Sequence, residues 1–457
     1  MTGTVEPDVP SFSLMSRLRI VHALPLVPVF LVGLLASAEI RDNSFLWHVR
    51  AGDVQSAAGS VINHDVFSFT SLGMVWRTQS WLVELLYNGI NGAGSSLAWV
   101  NWMVLVVGVL TIMFIGTALY RSVPSPVVVG FTLIVAVWLL GPFLQPRPVI
   151  FSFLALAALV VVLQNRDRVL WLVVPLIWVW AGIHGSWIIG GLLLALEWLR
   201  TGDRQVFKVG LVSLVATLAT AHGLGTWLVV YEFFGSQDAL ALMQEWQVPN
   251  FGEFAQMPYL ILIAGIIVAG IGGKIRVRDL VVVLPFMFFG MTSQRAVVPA
   301  AIVLLPWAVM AIPAVRVPKS AVRPIVASGI IVVLALLAIM PMVSDSVGTL
   351  DAELFPSAGA RSQIHGLNAF YDDGVGGFLI FSEWPERLVW IDDRAELHGV
   401  ERMKELGEAL NGNYEAVFTR YGFEAALTKP DWPLTDRLAA DGWEMTYDDG
   451  DFLVFVP

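Results

Sequence analysis

The chain contains no cysteine. That absence excludes disulfides, thiolate chemistry and cysteine-ligated metals, and it is compatible with either redox compartment. Charge is scarce as well: 14% of the residues are Asp, Glu, Lys or Arg, against about 25% in soluble domains. No internal repeat is visible, which counts against a transporter built from inverted repeats, and there is no low-complexity segment. What fills the 457 residues instead is apolar. The chain is 56% hydrophobic, with long uncharged runs that predict a polytopic α-helical membrane protein.

The charge that does occur is unevenly placed. From Asp345 onward there are 22 acids and 8 bases, so the tail carries −14 and the remainder +4. The tail therefore reads as a separate, water-facing body, and its acidity argues against nucleic acid as a partner, because phosphates would be repelled.

Apolar runs fall near 21–38, 97–119, 127–141, 149–163, 169–183, 186–199, 207–221, 258–272, 280–291, 296–312 and 324–343. The first reads as an uncleaved anchor. Several runs are shorter than the ~20 residues of a straight span, and 169–199 reads either as two short spans or as a broken, re-entrant element. With the N-terminus in the cytoplasm and alternating spans, the inside segments hold Arg17 and Arg19; Arg121; Arg166 and Arg168; Arg200, Arg204 and Lys208; Lys274, Arg276 and Arg278; and Arg316, Lys319 and Arg323. This positive-inside pattern predicts about eleven spans of a multi-pass plasma-membrane protein. A single crossing by 169–199 would invert it. The predicted organisation is a cytoplasmic N-terminus over 1–20, a transmembrane domain over 21–343 with a large first external loop over 39–96, and an external α/β domain over 344–457.

Most of the remaining ionisable residues then fall on the outer side. The first loop offers Asp42, His48, Asp53, His64, Asp65 and Glu84. Later loops offer Gln145, Arg147, His184, His222, Glu232, Glu245 and Arg295. Ionisable groups at membrane depth are costly and are candidates for function. In the first loop, Trp47–Ala58 and Ser80–Asn91 read as interfacial helices. In the tail, Gly376–Phe381, Leu388–Asp392 and Phe423–Thr428 read as strands. Residues 401–410, 414–421 and 434–440 read as helices, and 443–447 with 452–456 as a closing hairpin. The tail contains no phosphate loop and no G-x-G-x-x-G.

Several short sequences occur in a telling order. Asp42, Trp47, His48 and Gly52 resemble a D-x-D-x-x-W-H-x-x-x-G pattern. Asp65, Phe67, Ser68, Phe69 and Thr70 follow as D-x-F-S-F-T, then Trp76, then Trp81, Leu82 and Glu84 as W-L-x-E. Arg147-Pro148 with Phe151-Ser152-Phe153 is similar to R-P-Q-x-F-S-F. Trp180 to Gly185 is similar to W-A-N-x-H-G, and Glu245-Trp246-Gln247 to E-W-Q. In the tail, Gly376 to Leu379 and Ile391 to Arg394 resemble G-G-Y-L and I-D-G-R. Over nearly its whole length the chain thus resembles a group of bacterial multi-span proteins similar to GT-C-type glycosyltransferases. It departs from them at Ser44, which stands for the second acid of D-x-D, at Gly182, and at Thr220-Ala221-His222-Gly223 in place of N-P-Y-G.

The resemblance implies a GT-C-like fold and transfer of a sugar from a polyprenyl-phosphate-linked donor to an extracytoplasmic glycan, lipid or protein acceptor at the bilayer. An acid of the first external loop then acts as general base, and Asp42 is the candidate. Arg147 and Arg295 are candidates for the donor phosphate, since arginine offers a bidentate fork. His48 and His184 are candidates for orienting the acid or binding a sugar hydroxyl, and Glu245 beside Trp246 for holding a sugar. Asp65 and Glu84 complete the candidate substrate-binding set. Simpler readings stand beside these. Asp42 would cap the following helix or pair with Arg41 or Arg50; Arg147 would anchor at the interface and Arg295 would snorkel. Asp65 would be a turn residue and Glu84 part of a solvated face. His184 would bond a backbone carbonyl at a helix break. The tail acids Asp392 and Asp393 would pair structurally with Arg394. Asp42, His48 and Asp65 offer ligands for Mg²⁺ or Mn²⁺, although no spacing requires a metal and Ser44 weakens the case. Two other functions remain open: a transporter or flippase for a lipid-linked glycan, and a non-catalytic subunit of an envelope glycan assembly complex.

Overall fold

In a computed structural model, residues 24, 26–92, 96–235, 238, 241–314 and 344–457 are described. The expected N-terminal segment 1–20 and last span near 324–343 lie outside them. The described residues are mostly helical, with a small mixed sheet near the C-terminus. Among the described residues, three helices are long and apolar enough to cross a membrane: Ala98–Ser122, Pro126–Phe143 and Gln294–Ala311. A fourth candidate is the pair Val149–Gln164 and Arg166–Ile183, bent by 103° at its break. Shorter apolar helices, including Leu26–Ala36, Trp187–Thr201 and Pro258–Ile271, pack among them.

Local sequence explains the helix boundaries. Pro126 and Pro258 stand at the first helical positions, where a missing N–H costs nothing. The Trp187–Thr201 helix ends at Gly202 with φ 68°, and Asp203 then accepts from the Gln205 amide at 2.8 Å to open the next helix. His184 is extended, with φ −166° and ψ 142°, and breaks the run between Val173–Ile183 and Trp187–Thr201. Gly190 lies against Ile177 and Trp180, so these two helices fold back on each other about that break.

The helical body has two polar ends. At one, Glu197 joins Arg166 (2.9 Å) and Arg200 (2.7 Å), and Arg200 continues to Asp279 (2.8 Å). These residues come from three of the segments assigned to the inner side by their basic clusters, and they form a closed charge network. The other end holds the first loop and the tail.

The first loop folds as two helices, Ser44–Ala58 and Trp81–Asn91, close to the expected limits. They cross in near contact at Gly52: a Cβ there would lie 2.0 Å from the Glu84 carbonyl oxygen, so glycine is required. The tail builds a four-stranded sheet in the order β1-β2-β4-β3. The strands are Ala369–Phe370, Ala425–Thr428, Glu444–Asp448 and Leu453–Val456, numbered β1 to β4 along the chain. β1 and β2 are parallel, and β4 runs antiparallel to both β2 and β3. The expected helices at 401–410, 414–421 and 434–440 and the closing hairpin are present.

Two expected strands are not. Gly376–Phe381 lies inside a helix, Asp373–Glu383. Asp372 caps this helix, its carboxylate accepting from the Val375 amide at 2.8 Å, and Gly376 admits the backbone of Ile391. Residues 388–392 form no ladder strand. Val389 instead makes an isolated parallel bridge to Ser68 of the first loop. The Phe69 amide donates to the Val389 carbonyl (3.0 Å) and the Val389 amide to Phe67 (2.9 Å). A second bridge joins Ile40 to Leu350. The tail is thus hydrogen-bonded backbone to backbone with the first loop.

Candidate functional site

Asp42 sits just before the Ser44–Ala58 helix and is buried. Its Oδ1 accepts from the Phe45 amide at 3.1 Å, a capping bond, and its Oδ2 accepts from Arg147 Nε. Neither Arg41 nor Arg50 pairs with it; they bond Asp351 and Asp53 (3.2 Å each). Arg147 precedes the Val149–Gln164 helix in a loop held by Tyr87, whose hydroxyl donates to the Pro146 carbonyl at 2.8 Å.

Arg147 Nη1 also donates to both oxygens of Glu245, at 2.8 and 3.0 Å. Glu245 lies in the short 3₁₀ turn Gln244–Trp246 and accepts in turn from Arg295 Nε at 2.5 Å. The Gln294 amide donates to the Gln247 carbonyl at 3.0 Å, which fixes the turn to the start of the Gln294–Ala308 helix. The Arg295 guanidinium lies over the Trp246 ring, 5.2 Å from its centroid. The buried Trp246 indole N–H has no acceptor among the described residues. Asp42, Arg147, Glu245 and Arg295 therefore form one continuous chain of charge, drawn from segments more than 250 residues apart in sequence.

Electrostatics follow the contacts. Burial alone would lower the Arg147 guanidinium, yet Asp42, Glu245 and Asp393 together hold it above its usual range. Burial would raise the Glu245 carboxyl, but Arg295 and Arg147 keep it below the ordinary carboxylate range. A carboxylate bridging two guanidiniums is a strong, charge-assisted arrangement. A phosphate oxyanion meets the same donors in the same way.

His48 and His184 flank this chain. His48 Nδ1 bonds Glu84 Oε1 at 2.8 Å. Glu84 is fully buried and also accepts from Gln55 Nε2 (2.6 Å) and Thr78 Oγ1; it is not part of a solvated face. His184 Nδ1 bonds Ser186 Oγ at 2.9 Å rather than a backbone carbonyl, and both His48 and Arg295 act on it electrostatically. The helix break is fastened to the first loop: Gln79 accepts from the Gly185 amide (2.9 Å), His222 donates to the Thr78 carbonyl (2.8 Å), and Gly182 fits against Trp81.

Asp65 stands apart from this group. It is buried and accepts from Arg394 Nη1 (2.8 Å), the Ser68 amide (3.0 Å) and Ser68 Oγ (2.6 Å). Arg394, also buried, is paired with Asp392 at 2.6 Å and lies over Trp76, 4.6 Å from its centroid. Burial would raise Asp392, but Arg394 and His398 hold it far below the usual range. Asp65 therefore clamps the tail to the first loop. The Mg²⁺ or Mn²⁺ set Asp42, His48 and Asp65 is not assembled, since each is committed to a different partner. Among the described residues, no three His, Asp or Glu side chains gather as metal ligands.

Sequence reasoning missed one member. Asp393 accepts from Trp47 Nε1 at 2.7 Å and from the Ser44 hydroxyl. Asp42 and Arg147 act on it directly. Burial pushes its carboxyl up, and Arg147 and the Ser44 bond only partly offset this. Its neighbour Asp373 is pushed up to about 7 by burial, with Asp372 and Asp393 beside it. The one signal in the sequence was the doubled acid of Ile391-Asp392-Asp393-Arg394. A separate open cavity on the tail, lined among others by His365, Tyr371, Glu383 and Arg387, shares none of these residues.

No protein-family profile matches this chain, and no curated protein matches it in sequence.

Proposed function

We propose that the chain is an integral-membrane glycosyltransferase of GT-C type. It would transfer a sugar from a polyprenyl-phosphate-linked donor to an acceptor outside the plasma membrane. The observation that carries this reading is the linked chain Asp42–Arg147–Glu245–Arg295, with His48 and His184 beside it, at one end of an apolar helical body. Such convergence of charge from distant segments, one of them the buried Asp42, onto an apolar helical body is costly unless it is used.

In this reading Asp42 takes the proton of the acceptor hydroxyl as its oxygen attacks the anomeric carbon. The bond from that carbon to the phosphate oxygen breaks, and the electron pair leaves with the polyprenyl phosphate. Arg147 and Arg295 stabilise the charge left on the phosphate. Glu245 holds the two guanidiniums in register and yields its place to the donor. Trp246 lies under the Arg295 guanidinium and carries an indole N–H with no acceptor among the described residues; the sugar would bind beside it, and His48 and His184 offer imidazole nitrogens. The closed network of Arg166, Glu197, Arg200 and Asp279 at the opposite end favours one-sided access over the alternating access of a transporter. About eleven spans, with the N-terminus inside and the tail outside, complete the proposal.

The test is transfer by the full-length protein in vesicles from a panel of polyprenyl-monophosphate sugars. Asp42→Asn should lower transfer by about 100-fold or more while leaving the thermal midpoint within a few degrees. Full activity of that variant would remove the proposal. Movement of a lipid-linked glycan across the vesicle without covalent product would favour the flippase.

A further inference from the structure

We infer that the tail supplies the second carboxylate of the active chamber: Asp393 sets the charge around Asp42 across the Ser44 contact and is a positioning residue for the transfer. The inference rests on the glycosyltransferase reading above.

Two observations lead to it. First, Asp393 belongs to a different part of the chain, 349 residues from Ser44, yet its carboxylate receives the Ser44 hydroxyl and the Trp47 indole N–H. Both donors lie on the first-loop helix that Asp42 precedes.

Second, Arg147 is shared. Its Nε donates to Asp42, and Asp393 acts on the same guanidinium, so the guanidinium is not committed to Asp42 alone.

A merely structural Asp393 would tie the tail to the loop and nothing more. The experiment that separates the two compares the full-length wild type with Asp393→Asn, Asp393→Ala, Ser44→Asp and the exchange Ser44→Asp/Asp393→Ala, in the vesicle transfer assay. Asp393→Asn keeps an acceptor for Trp47 and Ser44 and removes only the charge. It should lower kcat by about 30-fold, with the donor KM within about 3-fold and the thermal midpoint unchanged. The exchange variant, which moves the carboxylate back across the contact, should recover kcat to within about 5-fold of wild type, so that the two substitutions are strongly non-additive. Full kcat in Asp393→Asn, or an exchange variant no better than Asp393→Ala, overturns this inference and leaves the function standing. Absence of transfer by the wild type overturns both. Should Asp393→Ala not fold, Asp393→Asn decides.

Discussion

At the scale of single residues, the site is a set of carboxylates whose environments differ sharply. Glu84 is enclosed by three donors, from His48, Gln55 and Thr78. Its removal would strand all three in an apolar interior. Glu84→Ala should therefore cost about 3–5 kcal/mol, read as a large fall in thermal midpoint, whereas Glu84→Gln keeps one acceptor and should cost about 1–2 kcal/mol. Asp373 behaves in the opposite sense. Its carboxyl, raised from 3.8 to about 7, keeps a proton in the folded chain that the unfolded chain releases. Stability from this group is thus greatest below about pH 4 and falls as pH rises through 7. The full shift corresponds to about 4 kcal/mol; the side chain is only half-buried, so about 1–2 kcal/mol is expected. Asp373→Asn should stabilise the protein by that amount at pH 8 and leave it unchanged near pH 4, as measured by thermal denaturation at both values. The residues with extreme composition or position were legible: Asp42, Arg147, Glu245 and Arg295 stand out as charges in an apolar chain. The roles of Asp393, Thr78, Gln55 and Tyr87 were not, because the partner of each side chain is not visible until the fold brings the two together.

At the scale of elements, the first-loop helices were readable because their apolar positions and flanking turn residues agree. The segment Gly376–Phe381 was misread for a physical reason. An apolar run buried on all sides has no strand or helix period to betray it, and the Asp372 cap is the only local indication of a helix. Its glycine has a defined task. A Cβ on Gly376 would lie 1.9 Å from the Ile391 carbonyl oxygen, so Gly376→Ala must push the Asp373–Glu383 helix off the segment that carries Asp392 and Asp393. The expected cost is about 2–4 kcal/mol. Limited proteolysis should show it as earlier cleavage of the tail, with the helical body still protected. The apolar helices present a related difficulty. Val173–Ile183, at 11 residues, extends only about 16 Å, so run length placed the break near His184 and left two short spans and a re-entrant element as alternatives.

At the scale of the whole molecule, the arrangement of charge was the more legible feature. Arg166 and Arg200, expected on the inner side, meet Glu197 and Asp279, and Asp42, Arg147, Glu245 and Arg295, expected on the outer side, meet one another. The absence of cysteine makes this directly measurable. Single cysteines placed at Asp203 and at Glu253 of the otherwise thiol-free chain should label from opposite faces of intact cells, Glu253→Cys from outside with a membrane-impermeant maleimide and Asp203→Cys only after permeabilisation. Labelling of both from one face would remove the eleven-span topology. The attachment of the tail could not be read in advance, because part of it is main-chain pairing between Phe67, Phe69 and Val389, which leaves no mark on side-chain pattern, and the rest is side-chain pairs such as Asp65–Arg394 whose partners lie hundreds of residues apart.

The Ser44–Asp393 bond and the Asp65–Arg394 clamp have a bearing on where the chain can be cut. Each joins a side chain of the first loop to one of the tail. A helical body made alone would keep Asp65 without its guanidinium, and a tail made alone would keep Arg394 short of one carboxylate. The two parts are therefore expected to hold together as one piece and to fail as separate modules.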